Sequence, residues 1–441
     1  MKLSLRDIGK IKSADIELNG ITVLAGENNS GKSTVGKVLF AMVNSLHRNK
    51  EQVRYQRHVD MNRPIIRLLR SVEIINSLEL DYEDDNSDLL SLALDDEVII
   101  ADVSELKNDK DGLMAKLMVF LEKIDYDSPK EVDQVLLGHV ASQIIQSLDL
   151  TNEEIAERIV QHLIFTEMDG QVNNLLSPES MGSIEFTHND VSTVLCMHND
   201  VIYAERALDI PSITSHAIYI ESPYVSLDGA SRRVLTLKGS LSNYGESHQI
   251  QLQQLLRNAV EMKKNAVSEL VNEKKLSQIF SMLNETPTGE LRRGDRGRIQ
   301  HFDNKTNTSY NLNNVSTGIK SFLVIKTLLL GDALNYDDVL ILDEPEVHLH
   351  PQWQLVFAEL LILLQKELGL HILISTHSAT FLDAIEVYSK KHGIKDKCKY
   401  YLAENQNNAA VITDVTENVD KIYEKLLAPI LVLEDEENGY E

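Results

Sequence analysis

Gly26-Glu27-Asn28-Asn29-Ser30-Gly31-Lys32-Ser33-Thr34 sets two glycines with four residues between them ahead of a lysine and two hydroxyls. That spacing makes a phosphate cradle. The glycines let backbone N–H groups curl around a phosphate, Lys32 reaches the β- and γ-phosphates, and Ser33 offers its hydroxyl to Mg²⁺. Gly26, Asn28, Asn29, Ser30, Gly31 and Thr34 are the remaining nucleotide contacts expected here. Further on, Val339-Leu340-Ile341-Leu342-Asp343-Glu344-Pro345 is an apolar run that ends in paired carboxylates. A buried strand would hold Asp343 toward Mg²⁺, and Glu344 would polarise a water in line with the γ-phosphate. Ile372-Leu373-Ile374-Ser375-Thr376-His377 is a second such strand, and a histidine at its end can hydrogen-bond the γ-phosphate and the attacking water. Asn314-Val315-Ser316-Thr317-Gly318 opens an apolar helix, where Ser316 either caps the helix or grips a phosphate at its N-terminus.

These side chains need a frame. Ile21-Thr22-Val23-Leu24-Ala25 reads as a buried strand and residues 35–43 as a helix, so the first loop sits between a strand end and a helix N-terminus. Residues 2–7, 12–18 and 21–25 are three expected strands. From about 46 to 179 the apolar spacing turns helical, with a break and an N-cap near Asp149-Leu150-Thr151. Period-two alternation between 183 and 206, punctuated by His-Asn-Asp turns, predicts a β-meander. A strand at 217–220, a charged helical lobe over 247–285 and short strands between 289 and 312 follow. Thereafter helices at 317–330, 352–368 and from 379 alternate with apolar strands at 338–342 and 371–375. That alternation predicts an α/β domain, a parallel sheet covered on both faces. The first strand lies over 300 residues upstream of this run. The domain is therefore expected to be discontinuous, 1–45 with 180–441, around a compact helical insertion at 46–179.

With 441 residues, 43% of them hydrophobic, the chain can bury a large core. Its net charge of −25 repels polyanions on average, so contact with DNA would need local basic patches. Two are visible. Arg48, Lys50, Arg54, Arg57, Arg63, Arg67 and Arg70 face only Glu51 and Asp60, and Arg292, Arg293, Arg296 and Arg298 form the second. Solvated faces and intramolecular pairing account for such clusters more often than DNA does. An acidic stretch at 81–111 and an acidic tail within 430–441 oppose them. There is no run of 18 apolar residues and no signal-like segment after Met1, and Cys196 and Cys398 lack a paired-cysteine context. A cytoplasmic protein with reduced thiols is the expectation, with Cys398 either a buried thiol or, beside nearby histidines, a metal ligand.

The four chemical stretches together resemble the ABC-type ATPase superfamily, in the branch of RecF, SMC-like proteins and the ATPases of OLD nucleases. On that resemblance, 26–34 is the Walker A loop, 315–318 a variant signature, 339–344 Walker B and His377 the switch histidine. Glu346-Val347-His348-Leu349-His350-Pro351 is similar to the D-loop region of this branch; its H-x-H spacing also admits a metal. The resemblance implies an ABC-type head, a mixed sheet with an antiparallel β-subdomain. It also implies ATP and Mg²⁺ as cofactors, with Lys32, Glu344 and His377 catalytic and Ser33 and Asp343 on the metal. Two heads would sandwich two ATPs, Ser316 and Gly318 of one reaching the γ-phosphate held by the other, so a homodimer is the minimum competent unit. Glu221 stands in the family's Q-loop place, yet it is not glutamine.

Residues 20–37, 218–223 and 315–318 also look like ATPases of bacterial antiphage systems of the Septu type, which work with a separate HNH nuclease. About 64 residues after His377 are too few for the metal-binding nuclease domain of OLD proteins, so cleavage by this chain alone is not expected. Two other functions fit the motifs. One is a DNA-repair or maintenance ATPase using the arginine patches; the other is a transporter's nucleotide-binding subunit, disfavoured by the long insertion after Walker A.

Overall fold

The computed structural model describes residues 1–71, 109–124, 134–174, 176–177, 179–204, 211–221, 246–261, 276–286, 289–294 and 299–438. Most of the acidic stretch, Ser222 and Pro223, residues 262–275 of the expected lobe, Arg296 and Arg298 lie outside them, as do residues 439–441.

The described residues separate into two compact units. The first contains one mixed sheet of eleven described strands: β1 (Lys2–Ile8), β2 (Ile11–Glu17), β3 (Ile21–Gly26), β4 (Gly182–His188), β5 (Val191–His198), β6 (Val201–Ala204), β7 (Ala217–Ile220), and four from the C-terminal part. With β8 (Glu290–Arg293), β9 (Ile299–Asp303) and β10 (Thr308–Asn311) forming a separate antiparallel sheet, those four are β11 (Val339–Asp343), β12 (His371–Thr376), β13 (Cys398–Gln406) and β14 (Ala409–Asp414). The order is β6-β5-β4-β1-β2-β14-β13-β3-β12-β11-β7. The block β13-β3-β12-β11-β7 is parallel throughout.

The pleat explains why the parallel strands are apolar without a break. Val23, Leu340, Leu342, Ile372 and Ile374 face one buried cluster, whereas Leu24, Ile341 and Leu373 face another on the opposite side. The helix α1 (Lys32–Leu46) fills the second cluster, and Gly36 lets it lie close: a Cβ there would come within 3.1 Å of Ile341 and 3.3 Å of Tyr219.

The meander forms as expected, but it is continuous with the large sheet through β1–β4 pairing. Its turns, Asn189-Asp190 and Asn199-Asp200, have positive φ at both residues, the geometry of tight two-residue hairpins that Asn and Asp tolerate. Asn407-Asn408 closes the β13–β14 hairpin in the same way.

The second unit comprises residues 48–159 among those described. It contains α2 (Asn49–Ser71), α3 (Lys110–Ile124), α4 (Gln134–Asp149) and the first half of α5 (Asn152–Glu167). Met61, Leu68, Leu113, Leu137, Val140 and Ile144 make its core. The expected N-cap is a reciprocal box: Thr151 N–H donates to Glu154 (2.7 Å) and Glu154 N–H to the Thr151 hydroxyl (3.1 Å). Residues 160–179, expected in the insertion, belong to the first unit because Val160, Leu163, Ile164 and Val172 pack under its sheet. The remaining helices, α6 (His248–Glu261), α7 (Ser277–Glu285), α8 (Thr317–Leu330), α9 (Pro351–Leu368), α10 (Ala379–His392) and α11 (Asp420–Asn438), are in the first unit. Among the described residues no helix is long and apolar enough to cross a membrane.

Candidate functional site

The loop after β3 turns where few side chains could. Gly26 has φ +151°, and a Cβ there would sit 2.1 Å from the Ala403 carbonyl of β13. Asn29 (φ 58°) and Gly31 (φ 81°) carry the chain through left-handed backbone into α1, with Gly31 closing on Ile11. Lys32 is buried and folds back over the loop, its Nζ donating to the carbonyls of Gly26 (3.1 Å) and Glu27 (2.6 Å). Ser30 braces the same turn by donating to Glu27 O at 2.6 Å. Asn28, Asn29 and Ser33 are exposed, and Thr34 packs beside Gly9. Burial lowers the Lys32 pKa, opposed by the carboxylates of Glu344, Asp343, Glu346 and Glu27.

The topology brings those carboxylates in. β12 lies between β3 and β11, with Thr376 level with Ala25 and Ser375 level with Asp343. Asp343 is held by two hydroxyls: Tyr219 donates to Oδ2 at 3.1 Å, and Ser375 donates to Oδ1. Glu344 turns away in left-handed backbone (φ 47°), its N–H donating to Ser375 O at 3.0 Å, and its Oε1 lies 3.2 Å from His377 Nδ1. Loop, Lys32, Asp343, Glu344 and His377 thus gather at the C-terminal ends of adjacent parallel strands, where ligands of open α/β sheets bind.

Ser316 and Gly318 lie elsewhere. They line a recess of about 250 Å³ with Phe322, His348, His350 and Trp353, and no residue of 26–34 lines it. Ser316 occupies the N-cap of α8, yet its side chain makes no capping hydrogen bond. Gly318 permits close approach, since a Cβ would meet the His348 carbonyl at 2.8 Å. His350 Nδ1 accepts from Gln352 N at 3.3 Å and caps α9. Cys398 is a buried thiol pushed up to about 11 by burial.

Several partners have no local signal in the sequence. Glu221 accepts from Gln249 (2.9 Å) and lies 3.2 Å from His248 Nε2, while His248 Nδ1 sits 2.7 Å from Glu167. The His248 ring stacks on Tyr219, centroids 4.4 Å apart, which joins this cluster to the hydroxyl on Asp343. The His248 hydrogen bond brings Glu221 down to about 2. Burial opposes the charge on His248, but bonds to Glu167 and Glu221 outweigh it and raise its pKa to about 9. Lys425 of α11 reaches Glu27 at 2.9 Å.

The arginine patches are partly engaged. Arg57 donates to the carbonyls of Ser147 and Leu150 and to Asn152. Arg292 lies over the Phe302 ring at 3.6 Å and pairs with Glu290.

Residues 215–382 match the family described as AAA ATPase domain. That stretch contains Ser316, Asp343, Glu344 and His377 and begins after the phosphate loop. A search of curated proteins gave no match. Among solved structures, the chain is similar to the SMC head domain from Thermotoga maritima (10% identity, TM-score 0.37, covering 94% of this chain and 98% of that one). It is likewise similar to an SmcHead bound to the C-winged helix domain of ScpA (10%, TM-score 0.40, 94% and 96%). A third is an Smc head domain with an extended coiled coil bound to the C-terminal domain of ScpA, derived from Pyrococcus furiosus (11%, TM-score 0.33, 96% and 98%).

Proposed function

We propose that the chain is an ABC-type ATPase whose two copies close around two ATP molecules. The observation that carries this is the meeting of the Lys32 loop with Asp343, Glu344 and His377 at neighbouring strand ends. Asp343 and Ser33 are hard oxygen donors of the kind Mg²⁺ takes, and Asp343 is already oriented by Tyr219 and Ser375. The metal would neutralise charge on the β- and γ-phosphates. Glu344 then takes the proton of the attacking water, His377 holds the γ-phosphate side, and backbone N–H groups of the loop with Lys32 bind the phosphates. Ser316 and Gly318 reach the nucleotide of the other copy; a recess that no residue of 26–34 lines and a Ser316 side chain that does not cap its own helix support this.

The test is ATP binding and turnover. Lys32→Ala should abolish ATP binding. Glu344→Gln should bind ATP and hydrolyse it at least about a hundredfold more slowly, the scale of positioned base catalysis. Normal turnover by the Glu344 variant would remove the assignment.

In the cell, this ATPase scaffolds or restrains a separately encoded nuclease, of HNH type, in antiphage defence. The Septu ATPase PtuA is the protein it resembles in that role, on the residues quoted above. Co-purification from the native operon, followed by assay on plasmid DNA with and without ATP, tests the partner. A RecF- or SMC-like DNA-maintenance role is the second reading, favoured by the exposed Arg54 and Arg63 on α2 and the exposed Arg48 just before it. It predicts DNA-stimulated hydrolysis and binding that falls steeply with salt.

A further inference from the structure

Behind His377 lies a carboxylate that the chemistry above does not use. Glu346 is 2% exposed, three residues past Asp343 in the turn that leads to α9. Its Oε1 accepts from the Thr376 hydroxyl and from the His377 backbone N–H at 3.3 Å. The Glu346 carbonyl in turn accepts from Leu349 N–H at 2.9 Å and from the Gln354 amide at 3.3 Å. Gln354 reaches back to the other side of the histidine, its Oε1 accepting from the Ser378 hydroxyl at 3.4 Å. His377 is therefore bracketed by two residues of the 346–354 segment, the segment that also supplies His348, His350 and Trp353 to the Ser316 recess. Glu346 Oε2 is buried and has no hydrogen-bond partner, so only one oxygen of this carboxylate is used.

We propose that Glu346 is a positioning residue for hydrolysis, fixing the backbone of His377 through its single engaged oxygen and tying the histidine to the turn that lines the Ser316 recess. The inference rests on the ATPase reading. On that reading, the backbone this carboxylate holds is that of the residue facing the γ-phosphate. Because one acceptor oxygen does the holding, a glutamine carbonyl can replace it, with the amide nitrogen in the place of the idle Oε2.

The experiment compares the full chain with Glu346→Gln, Glu346→Ala and Thr376→Val, measuring ATP affinity, KM and kcat. Glu346→Ala and Thr376→Val should each lower kcat by about tenfold or more while KM and ATP affinity stay within about threefold, the pattern of a lost transition-state contact. Glu346→Gln should recover kcat to within about threefold of wild type. Glu346→Ala leaves the buried Thr376 hydroxyl and the part-buried His377 N–H without this acceptor and is prone to unfold. If it does, Thr376→Val and Glu346→Gln decide. Unchanged kcat in Thr376→Val, or a Glu346→Gln enzyme impaired tenfold, overturns the proposal while leaving the ATPase reading intact. A wild-type chain that neither binds nor hydrolyses ATP removes the ATPase reading, and this inference with it.

Discussion

Asp343, the carboxylate proposed to hold Mg²⁺, is oriented by its neighbours. Its two oxygens take hydroxyls from different strands, Tyr219 on β7 and Ser375 on β12. Tyr219→Phe removes one donor without changing the ring. The Mg²⁺ concentration for half-maximal hydrolysis should rise by about tenfold, the usual scale for outer groups that orient a ligand. The ring itself stacks on His248, whose two carboxylate partners set a pH dependence. His248 is raised to about 9 from 6.5, so its contribution is complete below about pH 6.5 and is lost as pH rises through 9. Glu221 is lowered to about 2, so its contribution is present above 4.5 and lost as pH falls toward 2. The difference in thermal midpoint between wild type and His248→Asn should therefore be largest near pH 5–6 and shrink above pH 9. A pH-independent difference would show that packing alone is responsible.

At the scale of elements, Gly36 and Thr151 carry clear expectations. Gly36→Val forces a branched side chain against Ile341 and Tyr219, lifting α1 from the sheet. The cost should be about 1–3 kcal/mol in denaturant unfolding, with Asp343's support disturbed as well. Thr151→Ala removes one half of the capping box and should cost about 1 kcal/mol, visible as faster amide exchange at the start of α5. The elements that such local rules govern were legible in the sequence. Strand β3, its loop and α1, the apolar β11 and β12, and the Asn-Asp hairpins all declare themselves by spacing or turn chemistry. The β13–β14 hairpin and α11 were missed, although Asn407-Asn408 was available as a turn signal. β13 is a strand because it pairs with β3, from Cys398 opposite Ile21 to Ala403 opposite Gly26, and no local pattern encodes that partner. The same reason hid Tyr219 on Asp343, 124 residues away, and His248 between Glu167 and Glu221. Motifs reveal the groups that touch a nucleotide; the groups that hold them are assembled by tertiary pairing.

For the whole molecule, the proposed second copy rests on the separation of the Ser316 recess from the Lys32 loop. Ser316→Arg places a bulky cation at that recess and leaves the phosphate loop untouched. ATP binding should persist within about threefold, whereas ATP-dependent dimerisation followed by light scattering should be lost. Equal dimerisation of variant and wild type, with and without ATP, would count against the shared site. The sheet order also has a consequence for synthesis. Strand β3, whose end forms the phosphate loop, receives both neighbours, β12 and β13, only from residues 371–406. On the ribosome the loop at 26–34 is made before both of the strands that flank β3. Nascent chains stalled before residue 371 should not be retained by immobilised ATP, and retention should begin once β13 has cleared the exit tunnel. Until then the unpaired edges of an apolar strand are open to chaperones.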